Sequence, residues 1–168
     1  MRGTIVQVSI GAGGLPKSAI SGGLAGFLGL EGDRHAHPEF HGGPRRAILL
    51  VASEILERLR ERGYPLFYGA LGENLTMRGI DVQWLKPGDR LRAGAACLEI
   101  TEPRQPCSQL DVYGPALKGE IFDHRMKEGD TASPCWGMSG LYAAVFEPGL
   151  VRPGDAIEVV SPPRREKR

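Results

Sequence analysis

Apolar and polar positions change their spacing several times along the chain, and each change marks an element. Thr4-Ile5-Val6-Gln7-Val8-Ser9-Ile10 is rich in β-branched residues and partly alternates, which predicts a first strand ended by Gly11 to Gly14. Ala47 to Val51 is a continuous apolar run, the pattern of a buried strand. Ser53 then stands as N-cap of a helix from about Glu54 to Arg62. Its acids, Glu54 and Glu57, come early and its bases, Arg60 and Arg62, come late, while Ile55, Leu56 and Leu59 share a face. Gly63 and Pro65 stop it. Pro87-Gly88-Asp89 and Pro153-Gly154-Asp155 are one turn signal used twice, each ahead of strand-like residues. Between them lie strand candidates Cys97 to Thr101 and Leu141 to Glu147, with a helix expected around Pro115 to Lys127.

A chain of 168 residues suits a single domain, assigned to 1–160, followed by a polar and basic tail over 161–168. The 24 glycines and 13 prolines follow no Gly-X-Y period, so they are read as many tight turns between short elements. The expected fold is mainly β with a few helices, closed like a barrel.

A formal net charge of +1 provides no general field for gathering nucleic acid or a membrane surface, which directs attention to a small-molecule partner. The apolar stretch Ala19 to Leu30 is too short and too often broken by glycine to span a bilayer. No export signal is read at the N-terminus. Three well-separated cysteines without a Cys-x-x-Cys pair support neither a disulfide framework nor a zinc knuckle, and a reducing cytoplasm is the expected location.

Cys107 carries the most chemical information. It ends the run Thr101-Glu102-Pro103-Arg104-Gln105-Pro106-Cys107, where two prolines restrict the backbone and Arg104 brings a permanent positive charge. A guanidinium near the sulfur favours the thiolate, the form that attacks electrophiles and binds soft metals. A small buried hydrophobe is the plainer alternative. Asp111, four residues on, is placed to supply protons or to cap the element that follows. Lys17 and Arg34 lie in Gly-rich loops, where either would grip a phosphate or a polar heterocycle unless simply solvated. Asn74, in Gly72-Glu73-Asn74-Leu75-Thr76, offers an amide to a ring or to a turn.

His35-Ala36-His37-Pro38-Glu39-Phe40-His41 raises a divalent metal site, but the one remaining histidine, His124, falls in a segment read as helix, and loop histidines without a metal fit better. His41 stands beside Gly42-Gly43, whose bare backbone N–H groups form a candidate anion nest. No serine nucleophile elbow, P-loop or dinucleotide fingerprint occurs in the chain.

Taken in order, Leu15-Pro16-Lys17-Ser18, Gly29-Leu30-Glu31-Gly32-Asp33-Arg34-His35, His41-Gly42-Gly43 with Arg46-Ala47, Gly72-Glu73-Asn74-Leu75, Gly88-Asp89, Pro103-Arg104 with Cys107, Gly140-Leu141-Tyr142, Pro148-Gly149 and Gly154-Asp155 resemble the MOSC domain. That module is named after the C-terminal part of molybdenum cofactor sulfurases. The resemblance implies a β-barrel-like fold related to the small barrel domain of pyruvate kinase, and a pterin-bound molybdenum centre (molybdopterin). It places the metal-ligand role, or in an older view a persulfide carrier role, on Cys107. Lys17, Ser18 and Arg34 match positions that hold the pterin or its phosphate, and Asn74 is a further transfer. The implied activity is reduction of N-hydroxylated compounds such as hydroxylaminopurines, with Asp111 or a water delivering protons.

The chain contains neither a ferredoxin-like module nor a flavin fingerprint, so electrons are expected from a separate reductase. The pyridoxal phosphate-dependent desulfurase domain of eukaryotic cofactor sulfurases is not found in this sequence, and pyridoxal phosphate is not expected here. Two alternatives to a reductase stay open: a persulfide sulfur carrier for metal–sulfur or cofactor assembly, and a module that binds or stores the cofactor without turnover.

Overall fold

In the computed structural model, which describes residues 1–34 and 42–160, seven strands close on themselves. β1 (Arg2–Ile10) pairs on one side with β11 (Ala156–Val159) and on the other with β6 (Leu75–Arg78). The circuit continues through β5 (Ile48–Ala52), β9 (Leu141–Glu147), β8 (Ala96–Pro103) and β7 (Arg90–Ala93) back to β11. All pairs in the ring are antiparallel except β5 with β6. Closure leaves no strand of the ring with an open edge.

β2 (Ser18–Ile20) is added to β1 outside the ring, and β3 (Gly23–Gly26), β4 (Gly29–Leu30) and β10 (Gly149–Val151) make a separate three-stranded sheet. Apolar side chains of the ring strands fill the interior, with Ile5, Leu50, Leu75, Leu91, Leu98 and Ile157 removed from solvent. Trp136 is buried against this core and donates its indole N–H to the Leu85 carbonyl at 2.7 Å.

The two Pro-Gly-Asp turns are the same device down to their hydrogen bonds. In Lys86–Asp89 the Asp89 N–H donates to the Lys86 carbonyl at 3.0 Å and its side chain accepts from the Lys86 N–H at 2.8 Å. In Arg152–Asp155 the corresponding distances are 3.1 and 2.8 Å. Gly88 and Gly154 both adopt φ 92°, the left-handed value that such a turn demands and that glycine supplies without steric cost. The turns launch β7 and β11, which are neighbours in the barrel.

Several boundaries differ from the sequence reading for definable reasons. β5 begins one residue late because Ala47 finishes the 3-10 turn Pro44–Arg46 with helical φ and ψ. The helix α1 (Ser53–Glu61) follows β5 with no loop, so Ala52 occupies the cap position in extended conformation. Ser53 is therefore the first helical residue and not the N-cap, and its buried hydroxyl has no hydrogen-bond partner among the described residues. The expected helix over Pro115 to Lys127 is two, α2 (Leu117–Ile121) and α3 (His124–Lys127), because Phe122 is extended and Asp123 caps α3 by accepting from the Met126 N–H at 2.9 Å. The basic tail and the segment 35–41 lie outside the described residues. Among the described residues no helix is long and apolar enough to cross a membrane.

Gly3 sits where β1 touches both neighbours, and a Cβ placed there would lie 2.0 Å from the Arg78 carbonyl oxygen. Gly3→Ala is expected to force the β1–β6 seam apart and lower stability by about 1–3 kcal/mol, read as a lower urea midpoint at unchanged slope. An unchanged midpoint would show that the seam tolerates the methyl group.

Candidate functional site

β8 leaves the barrel at Pro103, opposite Leu141, and the Arg104 N–H still reaches the Gly140 carbonyl at 2.9 Å. Pro106 then precedes Cys107, which is extended and whose carbonyl accepts from the Leu110 N–H at 3.1 Å to open the 3-10 turn Ser108–Tyr113. The Cys107 thiol is half-buried and free. Arg104 is only 5% exposed. Its backbone carbonyl accepts from the Ser139 hydroxyl at 2.6 Å, and its guanidinium meets the Ser139 carbonyl at a long 3.4 Å. Arg104 forms no ion pair with a carboxylate among the described residues. Burial lowers its pKa from the usual arginine range, with nearby Tyr142, Cys107 and Glu73 opposing that shift.

Cys107 and Arg104 line one pocket of about 60 Å³ together with Lys17, Arg34, Arg46, Asn74, Gln109 and Tyr142. Among the described residues that line it, four are basic and none is acidic. Arg46, Cys107 and Tyr142 also belong to the wall of a broader cleft of about 1030 Å³, so they mark the passage from one to the other. That cleft is bounded further by Gly42, Gly43, Arg45, Phe122, Met126 and Lys127.

Asp33, which the sequence reading did not single out, organises the inner pocket. Its carboxylate accepts from Lys17 Nζ at 2.7 Å, from the Asn74 amide at 2.9 Å and from the Gly11 N–H at 2.9 Å. The Lys17 and Asp33 side chains are 6% and 2% exposed. Lys17 is thus a buried ion-pair member, and Asp33 is the acceptor its ammonium meets among the described residues. The Asn74 side chain also donates to the Ser9 carbonyl at 3.2 Å and accepts from the Leu49 N–H at 3.0 Å. With both amide donors engaged, Asn74 acts here as a staple between β1, β5 and the Asp33 loop.

Glu73 performs a parallel task one residue earlier. It is fully buried, and its carboxylate accepts from the N–H groups of Gly69 and Leu71 and from the Thr76 hydroxyl, fixing the loop that places Leu71 and Gly72 in the pocket wall. Burial pushes its pKa up, and those hydrogen bonds oppose the shift. Gly69 is required in this loop: its φ is 96°, and a Cβ would lie 2.2 Å from the Lys17 carbonyl oxygen.

Tyr142 and Arg46 were also missed as site residues, although both fall in quoted motifs. The Arg46 guanidinium lies 5.5 Å from the Tyr142 ring centre and pairs with Glu102. Burial raises the Tyr142 pKa, with Arg104 and Arg46 pulling the other way, so the phenol keeps its proton at neutral pH.

The structure therefore brings Lys17, Arg34, Asn74, Arg104 and Cys107 to one pocket. It places Ser18 on the exposed start of β2, outside the lining. Asp111 is exposed on the turn after Cys107, 3.1 Å from Lys118 Nζ, and lines neither opening. His41 and the rest of the histidine-rich run lie outside the described residues. Among the described residues no group of three or more His, Cys, Asp or Glu is arranged to hold a metal ion. Cys97 is buried in β8, and burial raises its thiol pKa; Cys135 packs near the Glu120 carbonyl.

Residues 37–158 match the MOSC domain model. The chain belongs to the MOSC domain family. It is 34% identical over 135 residues to YflK of Bacillus subtilis, covering 79% of this chain and 56% of that protein. It is 33% identical over 142 residues to YiiM of Escherichia coli, covering 80% of this chain and 57% of YiiM. The MOSC chain described here thus spans less than three fifths of the length of these relatives. The crystal structure of YiiM from Geobacillus stearothermophilus superposes with a TM-score of 0.67 at 28% identity, over 95% of this chain and 75% of that one.

Asp33→Asn is expected to cost about 3–5 kcal/mol of folding stability, because it leaves the Lys17 ammonium buried without its counter-charge. Chemical denaturation tests this. A loss below 1 kcal/mol, about the worth of an exposed pair, would show that the Lys17–Asp33 contact does not hold the pocket.

Proposed function

We propose that the pocket at Cys107 binds a pterin-type molybdenum cofactor and that the protein reduces N-hydroxylated compounds of the hydroxylaminopurine type. The observation that supports this reading is the buried Arg104 guanidinium, which forms no ion pair among the described residues, beside a half-buried free thiol in a pocket whose described lining has four basic side chains and no acid. Such a lining favours an anionic ligand, and a thiolate is a suitable donor to a soft metal. These residues fit the group. Cys107 would be the metal ligand, while Lys17, Arg34 and Arg104 would meet its anionic part. The inner pocket opens past Arg46 and Tyr142 to a cleft large enough for a heterocyclic body.

When bound, the cofactor supplies the two-electron chemistry that converts an N–O bond into N–H and water. The protein residues bind, orient and supply protons. Tyr142 Oη carries a proton beside Cys107 and is better placed than Asp111 to hand it to the departing oxygen. Electrons come from a separate reductase. The three free cysteines suit a reducing cytoplasm.

The test is to purify the protein from a molybdenum-replete host, measure molybdenum and pterin, and assay reduction of N-hydroxyadenine by reduced methyl viologen. The wild type is expected to contain both components and to turn over. Cys107→Ser should lose at least about tenfold in rate, equivalent to about 1.4 kcal/mol of transition-state stabilisation. Pterin without turnover would reduce the reading to a binding or storage module. Absence of molybdenum together with a persulfide on Cys107 would replace it with a sulfur carrier.

A further inference from the structure

A cavity of about 400 Å³ lies where the parallel strands β5 and β6 end, between the first turns of α1 and residues 79–83. It shares no described lining residue with the pocket at Cys107 or with the outer cleft. Its volume is in the range of small-molecule sites, roughly 300–1,000 Å³. Ile55, Ile80 and Val82 are buried in its wall and Met138 is half-buried there, which gives the cavity an apolar side.

Glu54, itself half-buried, brings to that wall a carboxylate whose bonding is incomplete. Its Oε1 accepts at 2.7 Å from the N–H of Gly79, whose φ of 85° turns the chain out of β6. Its Oε2 is buried and has no hydrogen-bond partner among the described residues. Glu54 forms no ion pair among them either. Arg58, four residues on, has the spacing and direction of a helical Glu–Arg pair, yet it is exposed and joins no ion pair among the described residues.

Glu120 makes the comparison. It also has a buried oxygen without a partner, but its other oxygen meets Arg62 at 3.3 Å and the Tyr64 hydroxyl at 2.8 Å, so its charge is answered within the molecule. It does not line this cavity. An acceptor oxygen held away from water without a donor costs free energy, and more when it carries charge. At Glu54 the missing partner is therefore a donor that brings positive charge. Asp81, exposed in the same lining, accepts from the Gln83 N–H at 3.0 Å and adds a second carboxylate against the one guanidinium, that of Arg58.

We propose that this cavity binds a small organic cation, an ammonium or amidinium carried on an apolar body, with Glu54 as its counter-charge. The N–H groups of the cation donate to Oε2, and the apolar body lies against Ile80, Val82 and Met138. A neutral apolar molecule would leave the oxygen without a donor, and an anion would meet two carboxylates. A bare metal ion finds too few ligands, since no group of three or more His, Cys, Asp or Glu is arranged to hold one among the described residues. The assignment does not depend on how the Cys107 pocket is read.

The probe is benzamidine, with benzamide as the neutral and benzoate as the anionic molecule of similar shape. Each is titrated into the full chain and followed by calorimetry and by backbone amide chemical shifts. Benzamidine is expected to bind with a Kd of about 1 mM or below, to move the Gly79 and Ile80 signals and not those beside Cys107, and to raise the thermal midpoint. Benzamide and benzoate should bind at least about tenfold more weakly. Glu54→Gln keeps an acceptor for the Gly79 N–H and removes the charge, so it should weaken benzamidine at least about tenfold. Asp81→Asn, at an exposed acid, should change the affinity less than about threefold.

Absence of benzamidine binding would overturn the proposal and leave the cavity to water. Equal binding of benzamide would overturn it by showing that shape alone selects, and stronger binding of benzoate would do so by giving the site to Arg58. Shifts confined to the Cys107 pocket, or a loss in Asp81→Asn that Glu54→Gln does not show, would also reject it. If Glu54→Gln fails to fold, the ranking of the three probes on the wild type decides the matter.

Discussion

The site depends on one buried carboxylate. Asp33 receives the Lys17 ammonium, the Asn74 amide and the Gly11 N–H, two donors from the connection between β1 and β2 and one from the residue before β6. Burying an ion pair is costly, because both charges lose their water, and it is tolerable only when further hydrogen bonds satisfy the remaining lone pairs. Asp33 meets that condition with three donors. Asn74 extends the connection to Ser9 at the end of β1 and to Leu49 in β5. The Gly-rich loops that line the pocket are therefore anchored to the barrel by polar contacts, where they have few apolar side chains to bury.

Glu73 and Gly69 show the same economy from the other side. A loop of four residues is held by a carboxylate beneath it, and a glycine without a Cβ lets that loop rest on the Lys17 backbone, whose N–H donates to the Gly69 carbonyl at 2.9 Å. Two loops distant in sequence are thus packed backbone to backbone.

The sequence made the barrel legible where apolar spacing extends over five or more residues. β1, β5, α1 and β9 were found within one or two residues, and the paired Pro-Gly-Asp turns announced both β7 and β11. β2, β3, β4 and β10 were not legible, since runs of only two to four residues carry no measurable period. At the site, residues whose chemistry is unusual for their setting were recognisable: a thiol between prolines, and cations among glycines. Asp33 was not, because an aspartate after glycine reads as a turn residue until its three donors are brought to it. Tyr142 was hidden by its place in an apolar strand. Asp111 shows the converse, since closeness to Cys107 in sequence does not bring a side chain on the far part of a 3-10 turn back to the sulfur.

The four basic residues of the pocket are not equivalent, and the difference bears on what the pocket can hold. Lys17 is neutralised by Asp33, and Arg46 is paired with Glu102 and lies over the Tyr142 ring. Arg104 is buried, lines the cavity, and makes one long guanidinium contact, to the Ser139 carbonyl, among the described residues. Burial of the guanidinium is costly, and it lowers the Arg104 pKa even though Tyr142, Cys107 and the buried Glu73 carboxylate oppose the shift. If the proposed anionic ligand binds beside Cys107, it would relieve that cost, and part of its binding free energy would come from desolvation already incurred on folding. Arg104 would then couple ligand occupancy to stability of the fold, by the general rule that a ligand binding only the folded chain stabilises it.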